Sequence, residues 1–164
     1  MKFTVPANTT NAVFPSPLML INGTVAGTIT FTGSIQNGPS SIPLSTTTVD
    51  STAPIITTLT ANRITGGLSI KVVGFSPERR VTEIGFNFEV RVSGALQTVS
   101  LTKPAEPDFG PWYQSPQSSP FGSAFRLEQL FTVTGETSSI EAVTVTLKNA
   151  QGSTVSARTP FTAN

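Results

Sequence analysis

The clearest alternation in the chain is Ile84–Val92, IGFNFEVRV. Ile84, Phe86, Phe88, Val90 and Val92 share one parity, and Gly85, Asn87, Glu89 and Arg91 share the other. Successive side chains of a β-strand point to opposite faces, so the stretch predicts a strand with one apolar and one wet face. Its Phe86/Phe88 face is expected at the centre of a β-sandwich core. Leu68, Ile70, Val72, Phe131, Val143, Val145 and Leu147, from other alternating stretches, are expected to cover it.

The same period recurs on both sides. Phe3–Phe14, FTVPANTTNAVF, predicts strand, turn, strand, broken at Pro6-Ala7-Asn8. Leu18–Ile21 is a short apolar run closed by the turn dipeptide Asn22-Gly23. Thr24–Phe31 sets Val25, Ile29 and Phe31 on one face; Gly27 shares that face, which predicts a bulge or a large neighbour packed over it. Asn37-Gly38-Pro39 is a turn. Ile42–Val49 is a Thr-rich strand placed at an edge, because Pro43 cannot donate to a ladder. Asp50–Pro54 reads as a linker.

Beyond it the pattern restarts with strands at Ile55–Ala61, Leu68–Phe75, Ile84–Val92, Gln97–Thr102, Phe125–Val133, Ile140–Leu147 and Val155–Phe161. Phe109–Phe121 carries three prolines and is expected to be irregular. No helix is expected beyond one turn at Ser138–Glu141. The pattern therefore divides the chain into an N-terminal β-strand segment, residues 1–52, and a β-sandwich domain, residues 53–164. The second holds about seven strands at turn-punctuated spacing, the signature of an all-β, immunoglobulin-like sandwich without its disulfide. The first holds only about four, roughly half of such a repeat.

Composition narrows the chemistry. The chain has 164 residues, enough to bury a core without a metal or a disulfide. It has no Cys, which removes disulfides, thiolate chemistry and cysteine zinc sites. It has no His, which removes the commonest general base and transition-metal ligand. Charged residues are 12%, against roughly 25% in ordinary soluble domains, so Thr, Ser, Asn, Gln and Gly must cover the surface. A net charge of +1 gives no reason to expect nucleic acid as a partner. No window approaches the ~20 apolar residues of a membrane span, so no membrane insertion is expected. Met1-Lys2-Phe3 runs straight into polar residues, with no signal peptide. If the natural protein is exported, the chain is expected to be a mature form or an internal or C-terminal piece.

Five segments occur in order: Ala53-Pro54-Ile55-Ile56, Val73-Gly74-Phe75-Ser76, Trp112-Tyr113-Gln114-Ser115, Pro120–Phe125 (PFGSAF) and Val143–Gly152 (VTVTLKNAQG). Together they resemble a C-terminal immunoglobulin-like module found at the ends of large exported bacterial proteins. FTVPANTTNAVF and GTVAGTITFTGSIQNG resemble the closing half of a bacterial Ig-like repeat preceding such a module. The resemblance spans nearly the whole chain and carries no catalytic signature. It implies a spacer, adhesion or anchoring role outside the cell or at its surface.

Candidate chemistry is sparse. Glu106, Asp108, Trp112, Tyr113 and Gln114 cluster between prolines. They fit a ligand platform, with an aromatic face for a sugar ring and acidic and amide groups for its hydroxyls. The simpler reading is an aromatic cover over one end of the core with its polar tips satisfied locally, because a lone Trp in a β-sandwich is normally packing. The nine acidic residues are scattered, without the paired carboxylates of a glycosidase motif or the spaced acidic loop of a calcium site. A Ser-His-Asp triad is impossible without His. Arg79-Arg80 reads as a solvated turn. Asn8-Thr9-Thr10 and Asn22-Gly23-Thr24 fit the glycosylation sequon.

The expectation is a non-enzymatic structural or adhesive module without cofactor. Residues 3–49 would either fold onto the sandwich and extend its sheets or be completed by another chain through strand addition, which gives a homo-oligomer or surface filament with Val25, Ile29 and Phe31 on the assembly strands. The alternative is a carbohydrate-binding module, with polysaccharide as partner and Trp112, Tyr113, Gln114 and Asp108 as its platform. Exposure of Trp112 and Tyr113 separates the two.

Overall fold

The computed structural model describes residues 3–16, 19, 22–33 and 42–162. The fold is all-β: an immunoglobulin-like sandwich preceded by a two-stranded sheet. The first sheet is the antiparallel pair β1 (Gly27–Gly33) and β2 (Ile42–Val49). The sandwich then runs β3 (Ile55–Ile64), β4 (Gly67–Phe75), β5 (Glu83–Val92), β6 (Ala95–Pro104), β7 (Ala124–Thr132), β8 (Ile140–Asn149), β9 (Gly152–Val155) and β10 (Thr159–Pro160).

One layer has the order β3-β4-β7, and the other β10-β8-β5-β6, with β9 also on the outer side of β8. The chain forms two strands of one layer, then two of the other, and returns to each in turn, as in a Greek key. At its end it changes layers once more. Phe161 N–H donates to Glu141 O, while Thr162 N–H donates to Ala61 O and Arg63 N–H to Thr162 O, closing that side of the sandwich.

The core sits where the alternation places it. Ile84, Phe86 and Phe88 are buried, with Val143, Val145 and Leu147 beside them on β8 and Leu68, Ile70 and Val72 across from them on β4. Phe131 of β7 packs edge-on to Phe86, with centroids 4.9 Å apart. Tight turns at positive φ join neighbours: Gly66 between β3 and β4, and Ser93-Gly94 between β5 and β6. Gly67 and Gly74 lie where β7 and β3 pass so closely that a Cβ would meet Phe131 O at 1.9 Å and Ile55 O at 2.1 Å.

Several expectations are corrected. A helix does form: α1 spans Glu106–Gln114. Pro107 suits its first turn and Glu106 and Asp108 complement its dipole, while Phe109 and Tyr113, four residues apart, bury one face. Pro111 inside the helix removes an N–H, so burial of those two rings, rather than propensity, carries it. The rest of the stretch read as irregular is a 3-10 turn over Pro116–Phe121; a second covers Thr137–Ser139. Phe3–Phe14 forms no strands, only the bridge Thr4–Val13 with Phe3 and Phe14 in contact at 5.5 Å. Among the described residues nothing packs over Gly27; the irregularity in β1 falls instead between Phe31 and Thr32. Of Leu18–Ile21 only Met19 is described, and the turn read at Asn37–Pro39 lies outside the described residues.

The stretch read as a linker is pinned to the sandwich. Pro54 is fully buried, Thr52 O accepts from Asn149 Nδ2 at 2.8 Å, and Ser51 Oγ donates to Glu78 Oε1 at 2.7 Å.

Candidate functional site

The residues proposed as one platform are dealt to three different environments by α1. Tyr113 turns inward: it is buried, and its hydroxyl donates to Ser123 O at 2.8 Å. Burial pushes that hydroxyl well above its usual pKa. Asp108 faces β6 and pairs with Lys103 at 2.8 Å, while Lys103 also donates to Gln129 Oε1 at 2.7 Å. Gln114 is exposed and lines a cleft of about 500 Å³ with Glu78, Arg79, Arg80, Glu106 and Tyr113. Trp112 is half-buried on the other side, and its indole N–H donates to Ala124 O at 2.9 Å. No common face holds the four.

Trp112 does form a shelf, with neighbours the sequence reading did not single out. Phe121 is 59% exposed and lies 5.8 Å from Trp112, and Val73, Ala124, Phe125 and Arg126 complete the lining. The two rings are tilted by 42°, so they form a notch rather than a flat surface. A sugar face stacks on a flat ring, and the one polar group of the indole is already spent on backbone.

The polar cleft is a structural clamp. Arg79 is no solvated turn residue. Its backbone is left-handed, at φ 53°, and its guanidinium donates to Gly122 O at 2.7 Å, to Ser118 Oγ at 2.6 Å and to Tyr113 O. It also lies over the Tyr113 ring, 5.4 Å from the centroid. Arg79 thereby ties the β4–β5 turn to α1 and the 3-10 turn. Arg80 alone of the pair is exposed, and it pairs with Glu106. The two arginines and two glutamates of the cleft balance in charge, so it offers no net field to an ionic ligand. Among the described residues, no group of three or more acidic side chains gathers to hold a metal.

The third feature is a set of free strand edges. Among the described residues, β1 and β2 pair only with each other. On their shared face Ile29 and Phe31 are half-buried, Val25 is 38% exposed, and Thr47 and Val49 are half-buried. The hairpin is tethered at one end of the sandwich. Ala26 N–H donates to Pro77 O, Ser123 N–H to Thr24 Oγ1, and Ser123 Oγ to Thr24 O.

Among the described residues of the sandwich, β6 and β7 are the edges left open on one side, because one layer has three strand positions where the other has four, with β9 and β10 sharing one. Register puts Leu101 opposite Phe86 and Val99 opposite Phe88, so both point toward the core side. Yet Val99 is 46% and Leu101 47% exposed, since β6 overhangs the shorter layer. A groove of about 300 Å³ follows, with Phe88, Val99, Leu101 and Phe131 in its apolar lining and Thr134 and Glu136 among its polar residues. The strand positions of Val99 and Leu101 were legible, but their exposure follows from the unequal strand count of the two layers.

No protein-family model matches the sequence, and no curated protein matches it.

Proposed function

We propose that the chain is a non-enzymatic structural module that joins further copies of itself by β-strand addition, with the hairpin β1–β2 as the assembly element. The observation that carries this reading is a two-stranded sheet that, among the described residues, pairs with no third strand and keeps Ile29 and Phe31 out of the core cluster. Isolated two-stranded hairpins are at best marginal in water, and their edges present unpaired N–H and C=O groups. Main-chain pairing satisfies both needs without special side chains, which suits a surface with so few charges. The low charge, the Thr-rich strands and the resemblance to exported bacterial modules support a place outside the cell, in a surface fibre or adhesive stalk.

The test is the size of the full chain by light scattering, beside Phe31→Asp. Wild type is expected to grow with concentration and the variant to remain a monomer of 17.2 kDa. A wild type that stays at that mass throughout the accessible range overturns the reading.

A carbohydrate-binding module is the second reading, and the exposed Phe121 beside Trp112 and Arg126 is what favours it. Retention of wild type on immobilised polysaccharide, lost in Phe121→Ala, would support it; no retention removes it.

A further inference from the structure

We infer that the hairpin β1–β2 of one copy fills the vacant strand position beside β7 of the next, over the groove between β6 and β7. This rests on the assembly reading above and names the acceptor that reading leaves open.

Two incomplete apolar surfaces belong to one chain. The donor is a short, uncharged face with Val25, Ile29 and Phe31 in one row and Thr47 and Val49 beside them. The acceptor is the overhang of β6, where Val99 and Leu101 face a layer one strand too short. A strand paired to the free edge of β7 would bring that layer to four strands and lie directly over those residues. The rows Val25, Ile29, Phe31 and Val99, Leu101 carry no charge; Glu136 also lines the groove, and β7 carries Arg126 and Glu128 at exposed positions. The β6 edge is also unprotected. Ala95–Thr102 has no charge, no proline and no bulge in its pairing with β5, the features by which natural edges avoid adding strands.

The geometry favours another copy over the chain's own hairpin. The tether to Ser123 and Pro77 lies beside Ala124, where β7 begins. The open apolar half of the groove lies at the far end of β7, around Phe131 and Val133. Between them the Lys103 bridge to Gln129 and Asp108 spans the gap with polar groups. The chain's own hairpin would have to cross that bridge, whereas a second copy enters from the open end. Donor and acceptor are different surfaces, so the contact is head-to-tail and propagates unless the rotation closes a ring.

The test mixes two full-length variants. Phe31→Asp spoils the donor and keeps the acceptor; Val99→Lys with Leu101→Lys spoils the acceptor and keeps the donor. Melting curves check that each is folded; should the lysine pair unfold the sandwich, Val99→Thr with Leu101→Thr replaces it. Each variant alone is expected to sediment as a monomer and the mixture as a 1:1 dimer that grows no further. If the acceptor variant assembles like wild type while Phe31→Asp does not, the groove is not the acceptor, although strand addition stands. If Phe31→Asp still self-associates and the acceptor variant does not, β6 meets β6 and the hairpin is not the donor. A monomeric wild type with Val99 and Leu101 shielded from solvent means the hairpin closes on its own chain, and both readings fall.

Discussion

Phe131 of β7 stands edge-on to Phe88 of β5, with ring centroids 5.2 Å apart and planes at 83°. Phe88 also lies against Phe161, at 6.3 Å, so one ring joins both layers and the C-terminal strand. Truncation at this junction empties a site that three elements share. Phe88→Ala is expected to cost about 3–5 kcal/mol, measured by denaturant unfolding. A curve that overlays wild type would place the core elsewhere.

Arg79→Ala removes three donors to acceptors on α1 and the adjoining 3-10 turn, and leaves the Tyr113 and Gly122 carbonyls without that partner. Hydrogen bonds to a charged group carry about 1.5–3 kcal/mol, and these three act together, so a loss of roughly 2–4 kcal/mol is expected. Arg79→Lys should recover only part of it, because a single ammonium cannot span the three acceptors. Equal stabilities for the alanine and lysine variants, by thermal melting, would show that the fork geometry is immaterial.

Trp112→Ala should lower the melting temperature and leave any polysaccharide retention unchanged. The indole packs on Phe121 and bonds Ala124 O, but it is only half-buried. The expected loss is therefore about 2–3 kcal/mol, below that of a fully buried ring. A folded variant of wild-type stability that loses retention would restore the platform reading.

Acid should weaken the fold from a defined point. Glu78 is held below its ordinary carboxyl value by the Ser51 hydroxyl and then the Gln151 amide, Glu89 by Arg158, and Glu128 chiefly by the Ser69 hydroxyl. A carboxyl with a depressed folded-state pKa stabilises fully above its unfolded value of 4.5, and that contribution is lost as pH falls through the folded value. No His or Cys is present to titrate between, so the melting temperature should be flat from pH 7 to about 5 and fall below 4.5. Because Glu78 holds Ser51, protease cutting near residue 51 should increase over the same range. A melting temperature that is unchanged or higher at pH 3 would contradict this.

The strands were legible because side-chain parity is a local property: Phe86 and Phe88 on one face of β5 can be read from nine letters. The helix was not, because Pro107, Gly110 and Pro111 mask the spacing of Phe109 and Tyr113, and only burial of those rings selects it. Arg79 was misread for a similar reason, since its acceptors come from residues 34 to 43 positions away. Val99 and Leu101 look like ordinary core residues in sequence. Their exposure depends on how many strands the opposite layer contains, which no local pattern encodes. For the hairpin, the apolar row Val25, Ile29, Phe31 was evident, and the absence of a covering strand within the described residues is a property of the whole fold.

Strand addition through β1–β2 is tested most directly by amide hydrogen exchange of residues 27–33 and 42–49 across a dilution series of the full chain. The expected result is slow exchange at high concentration that becomes fast on dilution, while the amides of β5 and β8 stay protected throughout. Equal protection of the hairpin at every concentration, in a chain that remains at 17.2 kDa, would contradict assembly through this segment.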